Sequence, residues 1–164
     1  MAQVFKWLVR IAGSMILLGT VAFVLLYVLL SRSLPEYDKT LRVPSLIAPV
    51  EVVRDNANVP HIFGAHDSDV FFALGYAHAQ DRFWQMIMLR RTAQGRLSEV
   101  FGPRTVEIDM LMRRLDIYGL AQSSVAAQSP QAQRALAAYA SGVNARIEEI
   151  NASALGRGAP EMFL

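Results

Sequence analysis

Four polar side chains interrupt an otherwise apolar stretch of this chain: His78, Asp81, Arg82 and Gln85. On a helix, at about 100° per residue, all four fall within one sector of about 100°. A carboxylate beside an imidazole is the arrangement that orients a general base, so Asp81 and His78 could form an acid–base pair. Such a pair needs a nucleophile or a substrate cleft, and no serine here lies in a G-x-S-x-G turn. The alternative is a satisfied polar network that fixes how the helix packs, with Asp81 paired to Arg82 or His78 and bonded to Gln85. The pattern favours structure over catalysis.

Other chemistries find less support. His61, His66 and His78 could be offered as metal ligands, but none has a second histidine four residues away on one helix. The chain has no cysteine, which excludes disulfides, zinc–thiolate sites and thiol nucleophiles and leaves an oxidising compartment open. Gly95-Arg96 and Gly156-Arg157-Gly158 are not phosphate loops, because no strand leads into them and no G-K-[ST] follows. The stripe Phe83-Trp84-Met86-Met88 reads as core rather than as a cofactor box. A net charge of +2, with acids and bases interspersed and no basic run among aromatics, gives no case for nucleic acid.

The elements that must position these residues begin with an apolar run. Ile11 to Ser31 carries no charge and is mostly Leu, Val, Ile, Ala, Phe and Met. About 20 residues of helix span about 30 Å, the hydrocarbon thickness of a bilayer. Lys6 and Arg10 precede the run, Arg32 follows it, and Trp7 and Tyr27 lie at interfacial depth. A cleaved signal peptide would have a shorter run ending at an A-x-A-like site, whereas this one closes Leu29-Leu30-Ser31-Arg32. The sequence therefore predicts an uncleaved signal-anchor over residues 11–31 in the inner membrane. Lys39 and Arg42 also follow the span, so charge alone does not choose a side. The short basic tail, residues 1–10, places the N-terminus in the cytoplasm and the rest in the periplasm or outside.

Residues 32–49, with Pro35, Pro44 and Pro49, read as an extended linker standing off the membrane. Val50 to Val53 and Pro60 to Phe63 read as a short strand pair joined by the Asx-rich turn Asp55-Asn56-Ala57-Asn58. A long helix is expected from about Ser68 to Gln94, capped by Asp67 or Ser68 and ended by a left-handed Gly95. Apolar residues nearly all round it, from Val70 to Leu89, predict a central, buried helix. A second helix is expected from about Arg104 to Ala127. A third starts at Ser129-Pro130 and buries Leu136, Tyr139, Ala140, Val143, Ile147 and Ile150. Residues 151–164 read as loop. The fold class is mostly α, with a short N-terminal strand pair preceded by one transmembrane helix.

Two stretches are specific enough to carry a resemblance: Arg54-Asp55 through Pro60-His61-Ile62, and the dodecapeptide Gly75-Tyr76-Ala77-His78-Ala79-Gln80-Asp81-Arg82-Phe83-Trp84-Gln85-Met86. With Arg90 to Glu99, Arg113-Arg114 and Tyr139 to Asn144, they resemble the penicillin acylase family of N-terminal nucleophile hydrolases, in order across residues 49–164. Asn58 stands where that family usually has glycine, and asparagine tolerates positive φ. The resemblance implies that residues 50–164 are the incomplete N-terminal portion of an α-subunit domain from a four-layer αββα fold. It implies a longer precursor that cuts itself and exposes a Ser or Thr whose own α-amine is the base. It also implies hydrolysis of small N-acyl amides, of β-lactam or acyl-homoserine-lactone type, and a calcium ion in the whole enzyme.

No catalytic, cofactor-binding or metal-binding residue of the family falls on a matched position here, so none is assigned, and residues 1–164 alone are expected to be inactive. The expected partners are the remainder of the precursor, including its β-subunit part, and the membrane. The alternative is a tethered helical binding or scaffold module without catalysis. The apolar ending Glu161-Met162-Phe163-Leu164 favours the incomplete-enzyme reading.

Overall fold

The computed structural model describes residues 2–32 and 36–152. Helix α1, Ala2–Arg32, contains the uncharged run. The most apolar 18-residue window within Ala2–Ser31 has a mean hydropathy of 2.4, and the helix is long and apolar enough to cross a membrane. The side chains of residues 2–31 are exposed, so the described domain does not cover them.

The strand pair forms as the residues require. Strand β1, Val50–Arg54, pairs antiparallel with β2, Pro60–Gly64, with Val52 opposite Ile62 and Arg54 opposite Pro60. The Asp55 carboxylate accepts hydrogen bonds from the amides of Ala57 and Val59, each at 2.9 Å. Asn58 takes the left-handed conformation, φ 61°. Asp55 is an Asx-turn residue, its side chain standing in for a backbone acceptor.

Helix α2, Asp67–Ala93, starts one residue earlier than expected. Neither Asp67 nor Ser68 caps it. His66 is the N-cap and makes no side-chain capping bond. At the other end Gly95, φ 62°, closes the helix as anticipated, with Gly95 N–H bonding Thr92 O and Arg96 N–H bonding Arg91 O. The helix is kinked at Arg82, whose φ and ψ of −133° and 24° are not helical. A single helical wheel therefore does not describe residues on both sides of Arg82.

Beyond Gly95 come the short α3, Ser98–Phe101, and a 3₁₀ turn, Gly102–Thr105. The single helix expected over 104–127 is two, α4 (Val106–Leu115) and α5 (Ile117–Ala126). Asp116 separates them in the left-handed conformation, φ 49°, and its carboxylate accepts from the Gly119 amide to cap α5. Aspartate both tolerates that conformation and caps well, so it ends one helix and starts the next. Helix α6, Pro130–Ala152, begins where Ser129 and Pro130 predicted, with Ser129 Oγ accepting from the Ala132 amide at 3.2 Å. Residues 151 and 152 extend this helix. The remainder of the tail expected as loop lies outside the described residues.

The core is the crossing of α2 and α6. Phe72, Ala73, Ala77, Ala79 and Ile150 are buried there, together with Gly75 and Gly142. An added Cβ on Gly75 would meet the Tyr139 carbonyl, and one on Gly142 the backbone of Phe72 and Tyr76. Two backbones in contact bury few large side chains, and this corrects two expectations. Helix α2 is not buried all round: Phe71 and Leu89 are exposed. On α6, Leu136 and Ala140 are exposed, whereas Ile150 is buried and Tyr139, Val143 and Ile147 are half-buried.

Candidate functional site

Asp81 is the hub of the polar residues singled out by sequence, but its partners come from other elements. Arg54, at the end of β1, donates from Nη1 and Nη2 to the two Asp81 carboxylate oxygens, each at 2.9 Å. The same guanidinium donates to Asn58 O and to Gln80 Oε1, each at 3.1 Å, and stacks 4.0 Å above the Tyr37 ring. Tyr37 Oη donates to Asp81 at 3.3 Å. A planar fork meeting a carboxylate with two parallel bonds is the strongest geometry available to an ion pair. Asp81 is thus bonded to Arg54 and Tyr37, not to Arg82, His78 or Gln85 as the sequence suggested. The kink at Arg82 turns the following residues away, and Arg82 and Gln85 are exposed.

His78 is also exposed. Its Nδ1 lies 3.0 Å from Tyr139 Oη, with the two rings edge to face. The imidazole therefore joins α2 to α6, and among the described residues no carboxylate orients it as a base.

Three further carboxylates, none of them singled out in the sequence analysis, organise the domain. Asp69 on α2 is 2 % exposed and accepts from the amides of Ile47 and Ala48, at 3.1 and 3.0 Å. Glu149 on α6 pairs with Lys39, accepts from Tyr76 Oη at 2.5 Å and from Arg146 Nη1 at 2.7 Å. Burial opposes its charge, but the bonds from Lys39, Tyr76 and Arg146 outweigh burial and hold its pKa at about 2. Burial and the bond to Glu149 push the Tyr76 phenol upward. Asp109 on α4 accepts from the amides of Leu97 and Ser98 and from Ser98 Oγ, at 2.8, 2.7 and 2.5 Å. Burial works against that carboxylate too, but those bonds and the nearby Arg113 keep it below its ordinary range. Arg113 Nε in turn bonds Gly95 O at 2.9 Å.

These contacts also tie down the segment read as a free linker. From Glu36, whose carbonyl accepts from Gln80 Nε2 at 3.1 Å, to Ala48 on Asp69, the chain runs along α2 as a strap. A cavity of about 580 Å³ lies between this strap, β1 and α2, walled by Leu41, Val43, Val52, Phe72 and Ala73 among others.

Chemically, the arrangement is a set of clasps. Arg54 with Asp81, Glu149 with Lys39, and Asp109 with Ser98 each pin two elements. Ser98 Oγ, at the start of the short α3, donates to Asp109, whose carboxylate also holds the Leu97 and Ser98 amides and so serves the packing of α3 on α4. Among the described residues, no three His, Asp or Glu side chains converge to hold a metal ion. The residues shared by the sequence motifs interlock in space: Arg54 of the first stretch binds Asp81 of the second, and Gly75 of the second meets Tyr139 of the last.

Residues 49–164 match the sequence profile of the penicillin amidase family. The chain is 41% identical over 116 residues to the penicillin acylase 2 proenzyme of Pseudomonas sp. (strain SE83), a match covering 71% of this chain and 15% of that protein. It is 41% identical over 113 residues to the acyl-homoserine lactone acylase QuiP of Pseudomonas aeruginosa, covering 69% of this chain and 13% of the relative. Among solved structures, a thermostable penicillin G acylase from Alcaligenes faecalis superposes with a TM-score of 0.58 at 35% identity, over 65% of this chain and 56% of that one. The chain spans about 15% of the length of the curated relatives it matches. By the profile match, the identity and the shared fold together, the chain belongs to the penicillin amidase family.

Proposed function

We propose that residues 49–164 are the N-terminal, scaffolding portion of an amide hydrolase for small N-acyl compounds of β-lactam or acyl-homoserine-lactone type. Helix α1 anchors it in the inner membrane with the folded part on the periplasmic side. The observation that carries this reading is the agreement between the family match and the use made of the motif residues. Among the described residues they pair with one another in packing, Arg54 with Asp81 and Gly75 against Tyr139. The chemistry then belongs to the rest of a longer polypeptide: a Ser or Thr activated by its own α-amine, and donors for the tetrahedral oxyanion.

In this reading the calcium ion that the family resemblance implies is also held by that remainder. The remainder also accounts for the exposed apolar side chains of α4 and α5. Ile108, Leu111, Leu115, Ile117 and Leu120 are each more than two-fifths exposed, a surface suited to burial against another part of the same protein.

The test is an amidase assay of residues 1–164 on a chromogenic phenylacetyl amide and a long-chain acyl amide. We expect no turnover from this chain and turnover from a polypeptide extended to the length of its relatives. Hydrolysis by residues 1–164 that survives His78→Ala would place the nucleophile inside the chain and sink the proposal. An extended polypeptide that binds a protein partner but hydrolyses neither amide would favour the tethered scaffold instead.

A further inference from the structure

We infer that the strap Glu36–Ala48 holds the folded domain flush against the bilayer, so that the hairpin tip and the Gln80–Arg82 turn of α2 face the lipid headgroups. The inference rests on the membrane-anchor reading of α1 and goes beyond it, because an anchor alone leaves a domain free to swing.

Helix α1 ends at Arg32, and Glu36 is already fastened to the domain through Gln80. Four Cα-to-Cα steps separate those residues, and a fully extended chain covers at most about 3.6 Å per step, so the gap cannot exceed about 14 Å. Without the strap contacts, the first fixed point would be Val50, at the start of β1. Eighteen steps of free chain have a root-mean-square span of about 23 Å and a maximum of about 65 Å. The headgroup layer is itself roughly 5–8 Å deep on each side of the hydrocarbon. A domain tied within about 14 Å of the helix end lies beside that layer, whereas one on an 18-step tether does not.

The strap is fastened along its length rather than at one point. Glu36 O bonds Gln80, and Tyr37 lies under Arg54 and bonds Asp81. Lys39 pairs with Glu149, and Ile47 and Ala48 donate to Asp69. It therefore runs from the Gln80–Asp81 turn back toward the start of α2. The surface around Gln80 and Asp81, midway along α2 beside its kink, carries Ala57, Asn58 and Arg82, all exposed. Arg54 bonds Asn58 O, which fixes the hairpin tip on that same surface. Gln131, at the start of α6, lies with His66 and Ser68 at the far end of α2, about 20 Å away along the helix.

The native chain has no cysteine, so single labels are unambiguous. The full chain carrying Ala57→Cys or Gln131→Cys, each labelled with a fluorophore, is reconstituted into phosphatidylcholine–phosphatidylglycerol vesicles doped with a headgroup-linked quencher. We expect the label at position 57 to be quenched several-fold more strongly than the label at 131. A Gly/Ser insertion of about 15 residues after Arg32 adds about 20 Å of reach without touching a docked residue. It should bring quenching at position 57 down to the level at 131. Vesicle-bound chain with equal quenching at both positions, or quenching at 57 unchanged by the insertion, overturns the orientation while leaving the anchor in place. Chain that floats free of vesicles overturns the anchor and the orientation together.

Discussion

Replacing Gly142 by alanine should destabilise the domain, although the same change in an exposed helix stabilises it. A Cβ on Gly142 would stand 2.9 Å from both the carbonyl carbon of Phe72 and the amide nitrogen of Tyr76, and closer still to Phe72 O. Ordinary contact begins at 3.4 Å, so the two backbones must part by more than 0.5 Å. Neither side of the contact is the end of a flexible side chain, and both are helix backbone. Overpacking of this kind costs about 1–3 kcal/mol, set against a gain of about 1 kcal/mol from better helix propensity. The strain also spreads, because parting the helices loosens the burial of Phe72, Ala73 and Ala77. Backbone on both sides of the clash puts the cost in the upper part of that range, about 2–3 kcal/mol, so the net loss is about 1–2 kcal/mol, a fall of roughly 4–16 °C in melting temperature for a domain near 100 residues. The assay is a near-ultraviolet circular dichroism melt of the full chain in detergent, beside Gly75→Ala, whose Cβ would meet Tyr139 in the same way. A melting temperature unchanged or raised in both variants would refute the claim that α2 and α6 touch backbone to backbone.

The Arg54–Asp81 clasp should show strong coupling. In a double-mutant cycle of Arg54→Met and Asp81→Leu, each single change should cost about 3 kcal/mol, by leaving its partner unpaired, and the double change distinctly less than their sum; additive losses in denaturant titrations would show that the pair does not act as a unit. Glu149 should make the domain acid-sensitive. Its folded pKa of about 2 lies below its ordinary 4.5, so its stabilisation is present above about pH 4.5 and is lost as pH falls toward 2. The loss is at most about 3 kcal/mol, and Glu149→Gln should flatten that part of a stability-against-pH curve measured by urea titration. Carbonate extraction of cells expressing the chain should leave it in the membrane pellet at full mass; a soluble product starting after residue 31 would instead show that α1 is a cleaved signal.

What the sequence disclosed and what it hid divide along physical lines. Local signals were legible. The Asx residues at 55–58, the cap at Ser129 and the left-handed Gly95 act through their own neighbours, and each is found where its type implied. Periodicity found α2 and α6 but not which of their faces would be covered, because burial depends on what else packs there. Leu89 and Leu136 show the limit: both sit at helical spacing and both face outward. The carboxylates were least legible. Asp81 has an arginine and a histidine nearby in sequence, yet it takes an arginine 27 residues away. Asp69 and Asp109 bind backbone amides of distant segments, and no pattern of side chains announces an amide. Arg146 and Glu149, at i and i+3, left a faint sequence signal.

The crossing of α2 and α6 also sets an order of events during synthesis. Gly75 and the Tyr139 backbone it touches are 64 residues apart, so the core cannot close until α6 has left the ribosome. At about 5–20 residues per second, α2 is outside the ribosome for roughly 3–13 seconds before its partner arrives. The β1–β2 hairpin needs only local contacts and closes in microseconds. Residues 36–48 lie upstream of α2, so the Asp69 and Gln80 attachments can form within that interval, while the Lys39–Glu149 pair must follow α6. A nascent chain stalled near residue 120 should therefore hold a formed hairpin and an α2 still open to proteases and chaperones. Once α6 has cleared the exit tunnel, that exposure should end.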